Sequence, residues 1–451
     1  MKVKVISRNP DEYMRETKHD IHRLKRNYDQ SLHPMEGPRE YVRAMNATKL
    51  DRVFAKPFIG DLAGHREGIT CFAKDPTSLS SLTSGAYDGE IREWNLITRK
   101  CRRAFVAHEG YVRGICYIPN RTLSDKQFLS CGDDKVIKLW KNASQSELDA
   151  EIEEPITTLL SRTTLTDISH HQKENTFATS GEVCSIWEHS RNEPIKTFKW
   201  GVDTMHAIAF NPIETSLLAT CASDRSIIFY DMREAKPLRK IVMTLRANRL
   251  KWNPMAAFNF TVANEDYNLY TFDTRRLQNP IKIHKDHVNA VTDVDYSPTG
   301  KEIVSASYDR TIRIYNIEQA HSREIYHTKR MQHVTCIGWS LDNKYIYSGS
   351  DEMNIRLWKA NASEKLGALR PRERAKLEYN EALKEKFSAH PQVKRIAKHR
   401  HVPKGVLNAT KKHRIMRDKE IRKEHNRRVH STPGTVPFVS EKSKHVLKEE
   451  K

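Results

Sequence analysis

SGAYDGEIREWN occupies Ser84 to Asn95, and SCGDDKVIKLWK occupies Ser130 to Lys141. Each reads as the end of one strand, a turn carrying an aspartate, and a second strand that closes on tryptophan. In the second strand Ile91, Glu93 and Asn95 alternate against Arg92 and Trp94. That is the period of two of a pleated strand, and the Asp-x-x segment before it is turn chemistry. Further copies lie downstream: CASDRSIIFYD (Cys221 to Asp231), ANEDYNLYTFD (Ala263 to Asp273), SASYDRTIRIYN (Ser305 to Asn316) and SGSDEMNIRLWK (Ser348 to Lys359). TSGEVCSIWEH (Thr179 to His189) is a degraded copy that lacks a turn aspartate near Glu182.

The closing aromatics are Trp94, Trp140, Trp187, Tyr230, Phe272, Tyr315 and Trp358, separated by 46, 47, 43, 42, 43 and 43 residues. This is the period of WD repeats, in which each unit is a four-stranded blade. Seven aromatics predict an all-β, seven-bladed WD-repeat β-propeller. A ring hides its strand edges only by closing. The segment Arg52 to Ile59, ahead of Gly64-His65, is therefore expected to supply the outer strand of the last blade.

Histidines precede several copies at Gly64-His65, Ala107-His108 and Asp286-His287. Buried histidine and aspartate need partners, and a satisfied chain of them holds a blade in one geometry. The expected structural tetrads are His65, Ser84, Asp88 and Trp94; His108, Ser130, Asp134 and Trp140; and His287, Ser305 and Asp309 with Tyr315 in the aromatic place. Ser, His and Asp are catalytic residue types, but the same set repeats around a ring, which favours structure over chemistry. His333 lies about three residues too late to serve the last blade in this way.

Composition sets the partners. The 451 residues carry 77 Lys and Arg against 57 Asp and Glu, a net charge of +20, which favours polyanions. The seven cysteines are scattered without a C-x-x-C pair and read as reduced thiols. No apolar run is long enough for a signal peptide core or a membrane span. No phosphate loop, metal-ligand spacing or nucleophile elbow is present, so the chain is expected to be no enzyme and to use no cofactor or metal.

Three regions follow: an N-terminal arm (1–51), the propeller (52–359) and a basic, partly helical C-terminal extension (360–451). In the arm, Pro38 to Met45 predicts a short helix and the remainder reads as extended. The extension holds 25 Lys and Arg against 11 Asp and Glu. Pro371 to Phe387 predicts a helix whose Tyr379, Leu383 and Phe387 form a narrow apolar stripe, expected to dock on the propeller or on a neighbour. Asn408 to Arg428 predicts a second helix without an apolar face. Its Lys411, Lys412, Arg414, Arg417, Arg422, Lys423, Arg427 and Arg428, with Lys394, Arg395, Lys398 and Arg400 upstream, are candidate RNA-binding residues.

The stretch SDEMNIRLWKANASEKLGALRPRERAKLEYNEALKEKF (Ser350 to Phe387), then VKRIAKHRHVPK (Val393 to Lys404) and STPGTVPFVSEKSKHV (Ser431 to Val446), closely resembles the C-terminal domain of the suppressor-of-fibrillarin family of WD-repeat proteins. The opening MKVKVISRNPDEY and the run Phe210 to Arg233 resemble the same family. The resemblance implies a non-catalytic scaffold of the small-subunit processome, needed for pre-ribosomal RNA processing, 18S maturation and 40S subunit biogenesis. Its implied partners are pre-ribosomal RNA and box C/D small nucleolar RNP proteins, with no membrane and no small-molecule substrate. Its implied residence is the nucleolus of the nucleus. An alternative implied role is substrate receptor of a cullin-4 RING ubiquitin ligase, reached through the damaged-DNA-binding adaptor. The motif implied for that role is aromatic-Asp-x-Arg, found here at Tyr230-Asp231-Met232-Arg233 and Phe272-Asp273-Thr274-Arg275. The family prefers tryptophan in the first place, and neither copy has it.

Overall fold

A computed structural model describes residues 29–119, 126–141, 154–200 and 203–450. The expectations for the first 28 residues lie outside the described residues. The chain is a seven-bladed β-propeller with a helical C-terminal region. In the first blade the strands are Ile69–Lys74, Ser81–Ala86, Glu90–Asn95 and Lys100–Val106, ordered from the centre outward. Every described sheet repeats this antiparallel meander. Successive strands reverse direction, so all turns between second and third strands share one face of the ring. All turns between third and fourth strands share the other.

The apolar core lies between blades. Ile91, Phe105, Val112, Phe128 and Trp140 join the first blade to the second. Phe229, Trp252, Phe260 and Phe272 join the fourth to the fifth. The closing aromatics predicted from the repeat are buried: Trp94, Trp140, Tyr230, Phe272, Tyr315 and Trp358 are at most 1% exposed, and Trp187 is 3% exposed. Acidic residues on the inner strands stitch blades together around the central channel, both neighbours and blades two apart. Asp167 accepts from the Ile208 N–H and Arg249, Asp293 from the Ile337 N–H, and Asp295 from the Trp339 N–H and Lys74. Burial pushes the Asp293 carboxyl up, and Arg249 opposes it.

The ring closes by strand exchange, at a shifted register from the one expected. Phe58–Ala63, not Arg52 to Ile59, pairs antiparallel with Asn354–Lys359 as the outer strand of the seventh blade. The reason lies upstream. Glu36–Val53 forms one helix, α1, longer than the short helix expected over Pro38 to Met45, and Phe54 caps it.

Three further helices follow the ring: α2 (Pro371–Lys386), α3 (Pro391–Lys398) and α4 (Lys404–Val429). The chain divides into two compact units. In one, α1 packs with α2 and α3. Ala44, Ala47 and Thr48 bury a small-residue face on α1, while Leu383 and Val393 bury the facing sides of α2 and α3. The predicted stripe thus packs on the N-terminal helix. Phe387 meets Tyr41 edge-on at 5.9 Å, and the Tyr379 hydroxyl accepts from Arg43 at 3.2 Å. The other unit holds the propeller together with Arg400–Lys451.

Candidate partner-binding surfaces

The predicted tetrads split on inspection. In the second blade His108 Nδ1 lies 2.9 Å from Asp134, its Nε2 lies 2.8 Å from Ser130, and Trp140 donates to the same Ser130 hydroxyl at 2.9 Å. In the sixth blade His287 Nδ1 lies 2.9 Å from Asp309 and Nε2 lies 2.7 Å from Ser305, with Tyr315 filling the aromatic place. Burial alone would push the Asp309 carboxyl up; the adjacent His287 and Arg313 outweigh it and hold it down to about 2. The first blade differs. His65 bonds Ser84 at 2.6 Å and Trp94 donates to Ser84 at 2.8 Å, but Asp88 accepts the Glu90 N–H and does not reach the histidine. The acid nearest His65 Nδ1 is Glu90, at 3.7 Å. Burial, reinforced by Arg92, lowers the His65 pKa to about 4. In the seventh blade Trp358 donates to Ser348 at 2.8 Å, while His333 sits outside on Asp351 at 3.1 Å.

These chains are interior and present nothing to a substrate. They predict a stability pattern instead. Asp134→Ala and Asp309→Ala should each cost about 1–3 kcal/mol by leaving a buried imidazole N–H unpaired. Asp88→Ala should cost less than half as much. Thermal melts of the three variants test this, and equal losses would refute the division.

The two arginine motifs lie on adjacent blades at equivalent places. The third strand of the fourth blade, Ser226–Asp231, ends on Asp231, and that of the fifth, Leu269–Asp273, ends on Asp273. The antiparallel alternation puts both turns on the face opposite the tetrad aspartates. Each aspartate accepts the N–H of its own arginine, Arg233 at 2.8 Å and Arg275 at 2.9 Å. Arg275 also forks onto Asp273, at 3.1 and 3.0 Å, and lies over the Phe258 ring at 4.5 Å. Two-point pairing and ring stacking leave its guanidinium in a set orientation, with the side chain still 66% exposed.

The basic tail is sorted by the fold. Helix α4 starts at Lys404, earlier than the expected Asn408, because Pro403 sets its entry. It has no buried residue. One side turns toward the ring: His413 meets Tyr267 edge-on at 5.3 Å, Glu424 pairs with Lys444 at 2.7 Å, and Arg428 pairs with Glu424 and covers Phe438. At 100° per residue, Arg417 falls on that side as well. Lys404, Lys411, Lys412, Lys419, Arg422 and Lys423 fall on the remaining arc and are exposed. Arg414 is exposed beside Asp418, and Arg427 lies in the last turn. Lys394, Arg395 and Lys398 are carried by α3. Arg400 departs from the expectation. It is 14% exposed, pairs with Glu324 at 2.8 Å and donates to the Arg323 carbonyl, so it serves as an anchor of the tail rather than a free cation.

A contact that the residue pattern did not announce follows α4. Val446–Glu450 adds antiparallel to Pro237–Met243 as a fifth strand on the outer edge of the fourth blade. Short alternation in a charged terminus (VLKEE) is too weak a signal to find it.

The family described as Sof1-like domain matches residues 360–446, and the WD domain, G-beta repeat matches residues 56–95, 99–141, 278–316 and 324–359. The repeats closing on Trp187, Tyr230 and Phe272 fall outside those matches. The chain is 57% identical to a protein of Xenopus tropicalis and one of Homo sapiens, both named DDB1- and CUL4-associated factor 13, over 99% of each chain. It is 44% identical to Protein SOF1 of Saccharomyces cerevisiae, over 99% of this chain and 94% of that one.

Proposed function

The chain belongs to the Sof1 family of WD-repeat proteins, and on that premise we propose that it is a non-catalytic scaffold of the small-subunit processome, acting in pre-ribosomal RNA processing and 18S maturation within the nucleolus. The observation that carries this reading is the outward arc of α4. It is a helix of 26 residues, roughly 39 Å at 1.5 Å per residue, with six of its cations, Lys404, Lys411, Lys412, Lys419, Arg422 and Lys423, set away from the ring. A surface of this kind holds a polyanion through phosphates and reads little sequence. The box C/D small nucleolar RNP proteins are its proposed neighbours in the assembly. Crosslinking the protein to RNA in cells tests the proposal. Reads are expected on pre-ribosomal RNA at contacts made by Lys404 to Lys423; reads absent from that RNA would overturn it.

A second reading has its own support. Relatives at 57% identity are named for association with DDB1 and CUL4, and both aromatic-Asp-x-Arg turns stand side by side on one face. We propose that Asp231, Arg233, Asp273 and Arg275 bind the damaged-DNA-binding adaptor, making the chain a substrate receptor of a cullin-4 ligase. Arg233→Glu with Arg275→Glu should abolish adaptor co-purification and leave the melting temperature within a few degrees, since both arginines are exposed. Full adaptor recovery by the folded double variant would remove these residues from the contact.

A further inference from the structure

The tail continues past its basic helix and returns to the ring along the fourth blade, beside the second arginine motif. Residues Lys240 to Met243 pair with Glu450 to Val446, and the Thr244 N–H donates to the His445 carbonyl at 3.2 Å. His445 Nδ1 lies 2.9 Å from the Tyr270 hydroxyl. Lys442 donates to the Ile281 carbonyl at 2.6 Å, and Lys285 pairs with Glu441. Arg239, on the outer strand of the fourth blade, donates to the Thr274 carbonyl at 3.3 Å inside the second motif and lies 3.9 Å from Glu449. The result is a cleft of about 1010 Å³ with Asp273, Arg275 and Arg276 on the ring side and Ser440, Lys442 and Glu449 on the tail side.

A partner that grips Arg233 and Arg275 together must span the groove between the fourth and fifth blades. The tail borders that groove at the second motif and offers a carboxylate, Glu449, to Arg239, the arginine that ties the two blades. Little apolar surface holds it. One apolar side chain, Val446, packs against the core, Leu447 is 59% exposed, and the rest is edge-strand pairing and polar contact, including the half-buried His445 on Tyr270. Segments with so few buried contacts open at low free energy. An edge strand freed in this way is also a ready pairing surface.

We propose that the groove between the fourth and fifth blades is a docking surface for the ligase adaptor that the chain's own C-terminal strand occupies in its absence. This rests on the adaptor reading above. The same segment is tied to α4 through Lys444 on Glu424 and Phe438 under Arg428. RNA held along α4 therefore favours the docked tail, and by reciprocity the adaptor disfavours RNA. The two proposed roles become alternatives within one molecule rather than simultaneous ones.

The test measures binding of purified adaptor to four forms: the full chain, a chain ending at Ser440, full-length Val446→Asp, and the Arg233→Glu, Arg275→Glu double variant. The fourth blade keeps its own four strands in all of them, and melts confirm folding. Affinity should rise on the order of tenfold for the truncation and for Val446→Asp, the gain from freeing a surface open about a tenth of the time. A structured RNA added to the full chain should weaken adaptor binding, and should not do so in the truncated one. Unchanged or weaker adaptor binding by both tail variants, with binding lost in the arginine variant, would overturn the shared surface and leave the adaptor reading standing. Undiminished binding by the arginine variant would instead overturn the adaptor reading, and the shared surface with it.

Discussion

A chain lacking residues 1–63 should fail to give a soluble monomer, whereas one lacking 1–35 should melt as the full chain does. The first deletion removes Phe58–Ala63, the outer strand of the seventh blade. It takes Leu62 out of the cluster that includes Ile69, Trp94, Ile355 and Leu357, and Phe58 off the Trp358 ring, which it meets at 5.5 Å. Loss of Leu62, Ile59 and Phe58 burial amounts to on the order of 5 kcal/mol. That rivals the whole stability of an ordinary domain. The deletion also bares the backbone of Asn354–Trp358 along its pairing edge, an invitation to pair with another chain. The shorter deletion stops before α1 begins at Glu36 and leaves the closing strand Phe58–Ala63 in place. Size-exclusion chromatography and thermal melts read both. A monomeric ring without residues 1–63 would refute the clasp.

Replacing Lys404, Lys411, Lys412, Lys419, Arg422 and Lys423 together by glutamine should remove most RNA affinity. If the six neutralise one phosphate each, log affinity falls against log salt with a slope of about −4 on single strands. At 0.15 M salt that corresponds to a loss on the order of a thousandfold, with the slope flattened accordingly. Gln is a good helix former, so α4 should persist by circular dichroism. The control is the ring-side set, Arg417 and Arg428, where Gln should flatten the slope by less than one. Aromatics are scarce on the tail, so base stacking contributes little and sequence preference should stay weak. The outer-arc variant should also lose its nucleolar signal when tagged. An unchanged slope would move the RNA contact to the propeller faces.

Legibility from sequence followed the range of the interactions. Repeats at 42 to 47 residues announce a propeller because each blade must present the same aromatic to the same inter-blade core. The arginine motifs were readable too, since each turn is set by its own neighbours: Asp231 and Asp273 cap the arginines two residues on. The tetrads were readable as candidates only. His65, Ser84, Asp88 and Trp94 carry the same letters as the second blade, yet Asp88 turns to the Glu90 N–H and Glu90 approaches the histidine. A rotation of one side chain decides that, and Glu90 is in turn paired with Arg92 at 2.8 Å, a contact no spacing rule contains.

The sequence by itself determined the blade count, the closing-aromatic core, the two arginine turns and the basic character of the tail, because all of these follow from local periodicity or from charge. Tertiary structure alone decided which groups meet across long stretches of chain. It put Tyr379, Leu383 and Phe387 against α1, buried Arg400 on Glu324, began the closing strand at Phe58, and laid Val446–Glu450 along the fourth blade. Such pairings are chosen by complementary surfaces that exist only once distant parts of the chain have taken up their own structure. A short apolar stripe or a charged terminus shows that a contact is available, while the partner is set by whichever edge or face the rest of the fold leaves uncovered.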